Sequence, residues 1–418
     1  RAAYALARTP SHAPLLEVDT MFRSHPFAAL LIAVACAAGP AVAQDDAVAQ
    51  AQALLEEDQP KQAYRLLVDE IDEQRMQDPR FMIALADAGA AYAPTVSMLN
   101  GGDRKRVDLY QGVGDLYQQV NRHEAANEAH RALADLGLAR LKLTMQQETI
   151  AAMEQKGYEH ALRLCEAAVE LWPKEETAPM LIYQIGGDVQ NREVQMRGLR
   201  ALVAAETKEA STYTFLARLE QDADPDPETG GAAALAVLDA GLATIGDDMA
   251  LLDAKARLLI QTGRRDEARP IAARMDAATE QVEDVAQRAR YAFATGVIYD
   301  LLADAVSAEN RYRTAVEQLP DNARLRTMLG GIYFNRAADA MRLAHDLPFD
   351  AEDQRQPLER QAHDALRLAR TEFEAAREHG ETNLTLLHSL ANVYIQLGDA
   401  EAWEAIQAEI KEAESGRR

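Results

Sequence analysis

Residues 289–322, ARYAFATGVIYDLLADAVSAENRYRTAVEQLPDN, constrain this chain more than any other stretch. Apolar residues recur at helical spacing on both sides of a break near Ala303 to Ser307, which predicts two amphipathic helices and a turn. Counting Ala289 as position 1, small residues stand at positions 8, 20 and 27 (Gly296, Ala308, Ala315) and tyrosines at 11 and 24 (Tyr299, Tyr312). Small residues let antiparallel helices cross closely, and large ones fill the space beside the crossing. Pro320, at position 32, cannot continue the second helix.

The pattern recurs. Ala51, Leu54, Ala63 and Leu67 take positions 8, 11, 20 and 24 of a first unit, with its turn at Gln59-Pro60. Tyr110, Gly114, Tyr117 and Ala126 take positions 4, 8, 11 and 20 of a unit starting near Val107. A unit from Lys142 to about Glu175 turns at Lys156-Gly157 and has Ala161, Ala168 and Pro173 at 20, 27 and 32. Residues 177–205 are less regular, and Ile185-Gly186-Gly187-Asp188 reads as a turn between two helices. The insert DADPDPETGG (222–231) reads as a surface loop whose oxygen spacing does not fit a calcium loop. Ala256, Leu259, Gly263 and Ala268 mark the unit before the opening stretch. Leu329, Gly330 and Tyr333 open the unit after it, which runs on to about His345. A loop over LPFDAEDQRQP (347–357) then precedes a long helix from Leu358 to His379. Leu387, Leu390, Ala391, Tyr394 and Gly398 mark the last unit, and its charged final helix suits a solubilising cap.

In these positions and in its period of about 34 residues the chain resembles the tetratricopeptide repeat family. The resemblance covers nearly all of residues 44–414 in nine to ten units. The fold it implies is all-α, a right-handed α-solenoid of stacked antiparallel helix pairs. Repeats at 44–205 form an N-terminal part, and repeats at 206–418 a C-terminal part with a capping helix. No one hairpin buries enough apolar surface to be stable alone, so neighbours must stack.

Ahead of the repeats, Met21 opens MFRSHPFAALLIAVACAAGPAVAQDD. Arg23, an apolar run over 27–38 too short to span a bilayer, Pro40 and Ala41-Val42-Ala43 predict a signal peptide at 21–43, cut between Ala43 and Gln44. Residues 1–20 read as an upstream extension. The expected location is the periplasm of a Gram-negative-type envelope. A lipoprotein box at Ala33-Val34-Ala35-Cys36 is the alternative and would anchor the chain in the outer membrane through Cys36; a buried N-terminal helix is a third reading. After cleavage no direct membrane insertion is expected.

A net charge of −23 repels phosphate backbones, so nucleic acid is an unfavourable partner. Only Cys36 and Cys165 are present, so export would leave one thiol and no internal disulfide. Cys165 falls at position 24, where a buried, inert thiol is expected. There is no zinc-type His-Glu-x-x-His, and Gly101-Gly102 and Gly330-Gly331 lack the flanks of a phosphate loop. His123 and His130 have no third ligand nearby in sequence. The expectation is a scaffold with no catalysis, no cofactor and no metal. The repeated position of Tyr117, Tyr299, Tyr333 and Tyr394 makes them core residues.

The resemblance further implies that positions 2, 5, 9, 12 and 13 of each first helix face a protein or peptide partner in a concave groove. In the last units this selects Arg290, Phe293, Arg324, Phe334, Asn335, His388 and Asn392. An early unit offers Asp108, Gln111, Asp115, Gln118 and Gln119 instead, an acidic and amide-rich set. The family's carboxylate clamp, Lys at 5 with Asn at 9, is missing. The plain alternative is that the seven residues only pack against neighbouring helices or water. For the function, an adaptor in an envelope assembly stands first. A periplasmic chaperone or an accessory subunit of an envelope enzyme or export system stands second.

Overall fold

A computed structural model describes residues 46–99, 101–224, 226, 229–348 and 351–415. The extension at 1–20, the signal peptide at 21–43 and Cys36 lie outside the described residues. Within them the chain forms eighteen α-helices and two single 3-10 turns, with no strand. It divides into two compact units between Glu206 and Thr207.

The first unit holds α1 (Asp46–Glu56), α2 (Pro60–Asp69), α3 (Pro79–Tyr92), α4 (Gly102–Arg122), α5 (Glu128–Glu154), α6 (Tyr158–Leu171), α7 (Thr177–Asp188) and α8 (Arg192–Ala204). The second holds α9 (Ala210–Ala223), α10 (Thr229–Ile245), α11 (Met249–Gln261), α12 (Arg265–Glu280), α13 (Val285–Leu301), α14 (Ala305–Gln318), α15 (Ala323–His345), α16 (Glu352–Glu378), α17 (Leu384–Leu397) and α18 (Ala400–Ser415). Each odd-numbered helix packs against the next, giving nine hairpins.

The hairpin of the opening stretch shows how the repeat works. A Cβ on Gly296 would lie 2.8 Å from the ring of Tyr312, so position 8 is bare in order that position 24 can enter. One repeat later Gly330 does the same under Phe373, at 2.6 Å. The turn is tighter than the sequence reading, because α14 already begins at Ala305. Ala303, at position 15, adopts φ 60°, and Asp304 caps α14 by accepting from the Ser307 amide at 3.1 Å. Position 15 is left-handed in five repeats, carried by Asp58, Lys156, Gly263, Ala303 and Gly398. Asx caps recur as well: Asn322, Asn383 and Asp284 accept from Leu325, Leu386 and Gln287. Each such cap contributes about 1 kcal/mol.

Position 11 supplies a polar latch to the preceding helix. Tyr117 donates to Asp87 at 2.5 Å, Tyr299 to Asp276 at 2.6 Å, and Tyr394 to Glu374 at 2.9 Å. In each case the acceptor lies on the helix just before the tyrosine's own. The rings of Tyr117, Tyr333 and Tyr394 are buried and that of Tyr299 is half-buried. Residues of α13 to α18 share one apolar core.

Four expectations need correction. Residues 128–154 form one helix, where the sequence reading ended one repeat and began another near Lys142. Nothing between Leu136 and Lys142 breaks a helix except Gly137, and an interior glycine costs only about 1 kcal/mol. Gly137 serves instead as a bare spot for Tyr117, whose ring would lie 2.3 Å from an added Cβ. Likewise Ile185-Gly186-Gly187-Asp188 is the end of α7 and not a turn. The turn follows, with Gln190 at φ 53° and Asn191 capping α8. Gly186 allows α8 to come close, since a Cβ there would meet the Gln195 backbone at 2.5 Å. Finally, α16 begins at Glu352, before Pro357. Acidic Glu352 and Asp353 suit a helix start, and Arg355 ties it to the loop by donating to the Pro348 carbonyl at 2.7 Å. The insert also ends sooner, because α10 starts at Thr229.

Candidate partner-binding face

The seven residues selected from the sequence lie on α13, α15 and α17 of the second unit. Arg290, Arg324, Asn335, His388 and Asn392 are exposed. Arg290 folds back along its own helix, with Nε donating to the Ala286 carbonyl at 3.2 Å. Phe293 and Phe334 are half-buried and pack against the shared core of α13 to α18. The Phe293 ring centre is 5.6 Å from that of Tyr312. The two phenylalanines therefore offer one edge to solvent and spend the rest on packing. Among the described residues no hydrogen bond or ion pair joins any two of the seven.

His388, Asn392 and Ile395 follow one another at spacings of four and three, so they share a face of α17. Ile395 is 56% exposed. Beside it a cleft of about 270 Å³ is lined by Tyr394, Ile395, Gly398, Asp399, Ala400 and Trp403. The indole Nε1 of Trp403 is buried without a partner among the described residues, while Asp399 is engaged by Arg370 at 3.0 Å. On α13, Leu301 is 42% exposed beside Asp300, whose carboxyl is raised by burial. Exposed apolar side chains thus alternate with ionic ones along these helices. Trp403 is the residue that repeat counting missed; the signal was a lone large ring in an otherwise charged last helix.

The other concentration of polar chemistry lies in the first unit and was not visible in the sequence. Glu148 on α5 accepts at Oε1 from Arg106 (2.7 Å) and His160 (2.8 Å), and at Oε2 from the Tyr110 hydroxyl (2.8 Å). Burial pushes the Glu148 carboxyl up, but hydrogen bonds from His160, Tyr110 and Arg106, with the Arg106 charge, outweigh it and lower it to about 2. The same partnership, added to burial, raises the Tyr110 phenol. Arg106 also donates to the Val96 carbonyl. Both carboxylate oxygens are engaged within the protein. The cluster clamps α4, α5 and α6 together.

His123 and His130 are half-buried; His123 pairs through Nε2 with the Gln77 side chain at 3.2 Å, and His130 closes the cap of α5 with Asn127. Cys165 is buried and its thiol is pushed up to about 12, chiefly by burial. Among the described residues no group of three or more His, Cys, Asp or Glu could hold a metal ion, and no helix is long and apolar enough to cross a membrane.

No family model matches the chain, and no curated protein matches it. Solved structures similar to it share few residues with it. A thermophilic TPR protein of Thermus thermophilus is 19% identical, over 46% of this chain and 98% of that one, with a TM-score of 0.30. MamA from Desulfovibrio magneticus is 15% identical, over 47% and 96%, with a TM-score of 0.29. A human IFIT1 dimer with PPP-AAAA is 13% identical, over 84% and 72%, with a TM-score of 0.34.

Proposed function

We propose that this chain is a non-catalytic scaffold of tetratricopeptide type that holds a protein partner on the first helices of its second unit. The observation that carries the reading is the exposed mixture on α13, α15 and α17: Arg290, Arg324, His388 and Asn392 beside Leu301 and Ile395. The partner segment lies along these helices, its acidic or carbonyl groups meeting the two arginines and its apolar side chains meeting Leu301, Ile395 and the cleft by Trp403. We place the protein in the periplasm, delivered by the signal peptide at 21–43 and working in an envelope assembly; that placement rests on the sequence alone.

Pull-down from an envelope fraction tests this reading, with the wild-type chain and an Arg290→Glu/Arg324→Glu double variant as baits. One stoichiometric partner, weakened about tenfold or more in the variant while circular dichroism is unchanged, is the expected result. Equal capture by both baits refutes the face, and capture of many unfolded clients refutes the scaffold.

A further inference from the structure

Helix α5 is apolar on both sides. Its inner side, with Ala134, Gly137, Leu141 and Met145, is buried against its own unit. Its outer side carries Leu136, Leu143 and Ile150, which are 39%, 54% and 50% exposed. The exposed Ala132 precedes them and the exposed Ala139 stands between the two leucines. With Gln146 as its one polar member, the resulting order, 132, 136, 139, 143, 146, 150, is the alternating four-and-three spacing of a coiled-coil seam. It runs for about 27 Å at 1.5 Å per residue. A helix lined this way on both sides ordinarily has something covering each of them.

We propose that this seam pairs two copies of the chain, antiparallel, about a two-fold axis. The pattern is self-complementary only in that sense. Setting Leu143 of one copy over Ala139 of the other also sets Ile150 over Ala132, so large side chains meet small ones at four of the six levels, and Leu136 lies over Gln146 at the other two. A parallel pairing would stack alanine on alanine and leave gaps at those levels. The charge around the seam favours a second copy too. Arg131, Arg140 and Lys142 stand against Glu128, Asp135 and Glu154 along the helix, and the fourth acid, Glu148, is already held by Arg106 and His160. In a chain of net charge −23, such a locally neutral strip is where two copies can approach without strong repulsion. Lys142 is in addition already matched by Glu175 at 2.5 Å. A single helix pair is smaller than a standard interface, which buries about 800 Å² per partner, so the dimer forms at about 10–100 µM rather than at nanomolar concentration.

Sedimentation velocity of the purified protein from about 1 to about 200 µM tests the proposal. The expected result is a monomer passing to a dimer, weakened about tenfold or more by Leu143→Glu. The control Leu343→Glu alters a leucine that is similarly exposed, at 50% against 54%, but on α15, and leaves the dimer unchanged. Orientation is read by mixing Ala139→Cys with Leu143→Cys: the mixture forms a disulfide faster than either variant alone. A protein that stays monomeric throughout overturns the proposal, and the stripe then belongs to a foreign helix. A dimer that Leu143→Glu leaves intact, with the helix content of that variant unchanged, overturns it equally.

Discussion

Asp87 links the packing of the first unit to pH. It sits on α3, its carboxylate accepts the Tyr117 hydroxyl at 2.5 Å, and burial raises it from 3.8 to about 6 against the lowering effects of that bond and of Arg140. The folded chain therefore binds this proton more tightly than the unfolded chain does. Stability must rise as pH falls through 6 and level off below 3.8. The full displacement corresponds to about 3 kcal/mol, of which about 1.4 kcal/mol is gained between pH 8 and pH 5. Asp87→Asn keeps an acceptor for Tyr117 and removes the charge. It should stabilise the first unit at pH 8 by about 1–3 kcal/mol and abolish the gain on acidification. The chain has two tryptophans, and Trp172 lies in the first unit. Urea unfolding followed by Trp172 fluorescence in a Trp403→Phe background then reports on that unit. At pH 5 the wild-type midpoint should exceed its pH 8 value by about 0.5–1 M more than the variant's does. Parallel pH dependences in the two proteins, or an Asp87→Asn variant less stable than wild type at pH 8, would refute the reasoning.

The remaining predictions concern acid and the turns. Glu148 is displaced the other way, from 4.5 to about 2, so its contribution is present above pH 4.5 and is lost as pH falls towards 2. That loss is worth up to about 3 kcal/mol. Far-ultraviolet circular dichroism during acid titration should show it in the wild type and not in Glu148→Gln, which starts out less stable at pH 7. At position 15 of the opening repeat, Ala303→Gly relieves a left-handed alanine and should raise stability by about 0.5–1 kcal/mol, whereas Ala303→Val should lower it. Urea unfolding read at Trp403 measures both, and a destabilising glycine would show that the strain is not there.

Much of this fold could be read from spacing because each repeat states its crossing twice, once as a bare residue and once as the ring that enters it. Gly296 with Tyr312 is such a statement, and both halves lie within one stretch. What could not be read was of two kinds. Breaks between helices were misplaced where a glycine served packing and not chain reversal, as at Gly137 and Gly186. Partners distant in sequence were also hidden, because nothing in the spacing ties Glu148 to Arg106 or Asp87 to Tyr117. On the candidate face, exposure of the polar residues followed from their repeat positions. The half-burial of Phe293 and Phe334 did not, since it depends on how far neighbouring side chains reach.

The unbroken run of α5 has a consequence for how the protein can change. Elsewhere a hairpin could be dropped or duplicated by cutting at a turn, and the remaining chain would still present the right ends to its neighbours. Residues 128–154 offer no such place. A cut there leaves two stubs that must each cap themselves and breaks the clamp at Glu148 as well. The two sequence units that meet near Lys142 share this helix and are in effect one inheritance unit, and gain or loss of length should be found on either side of them.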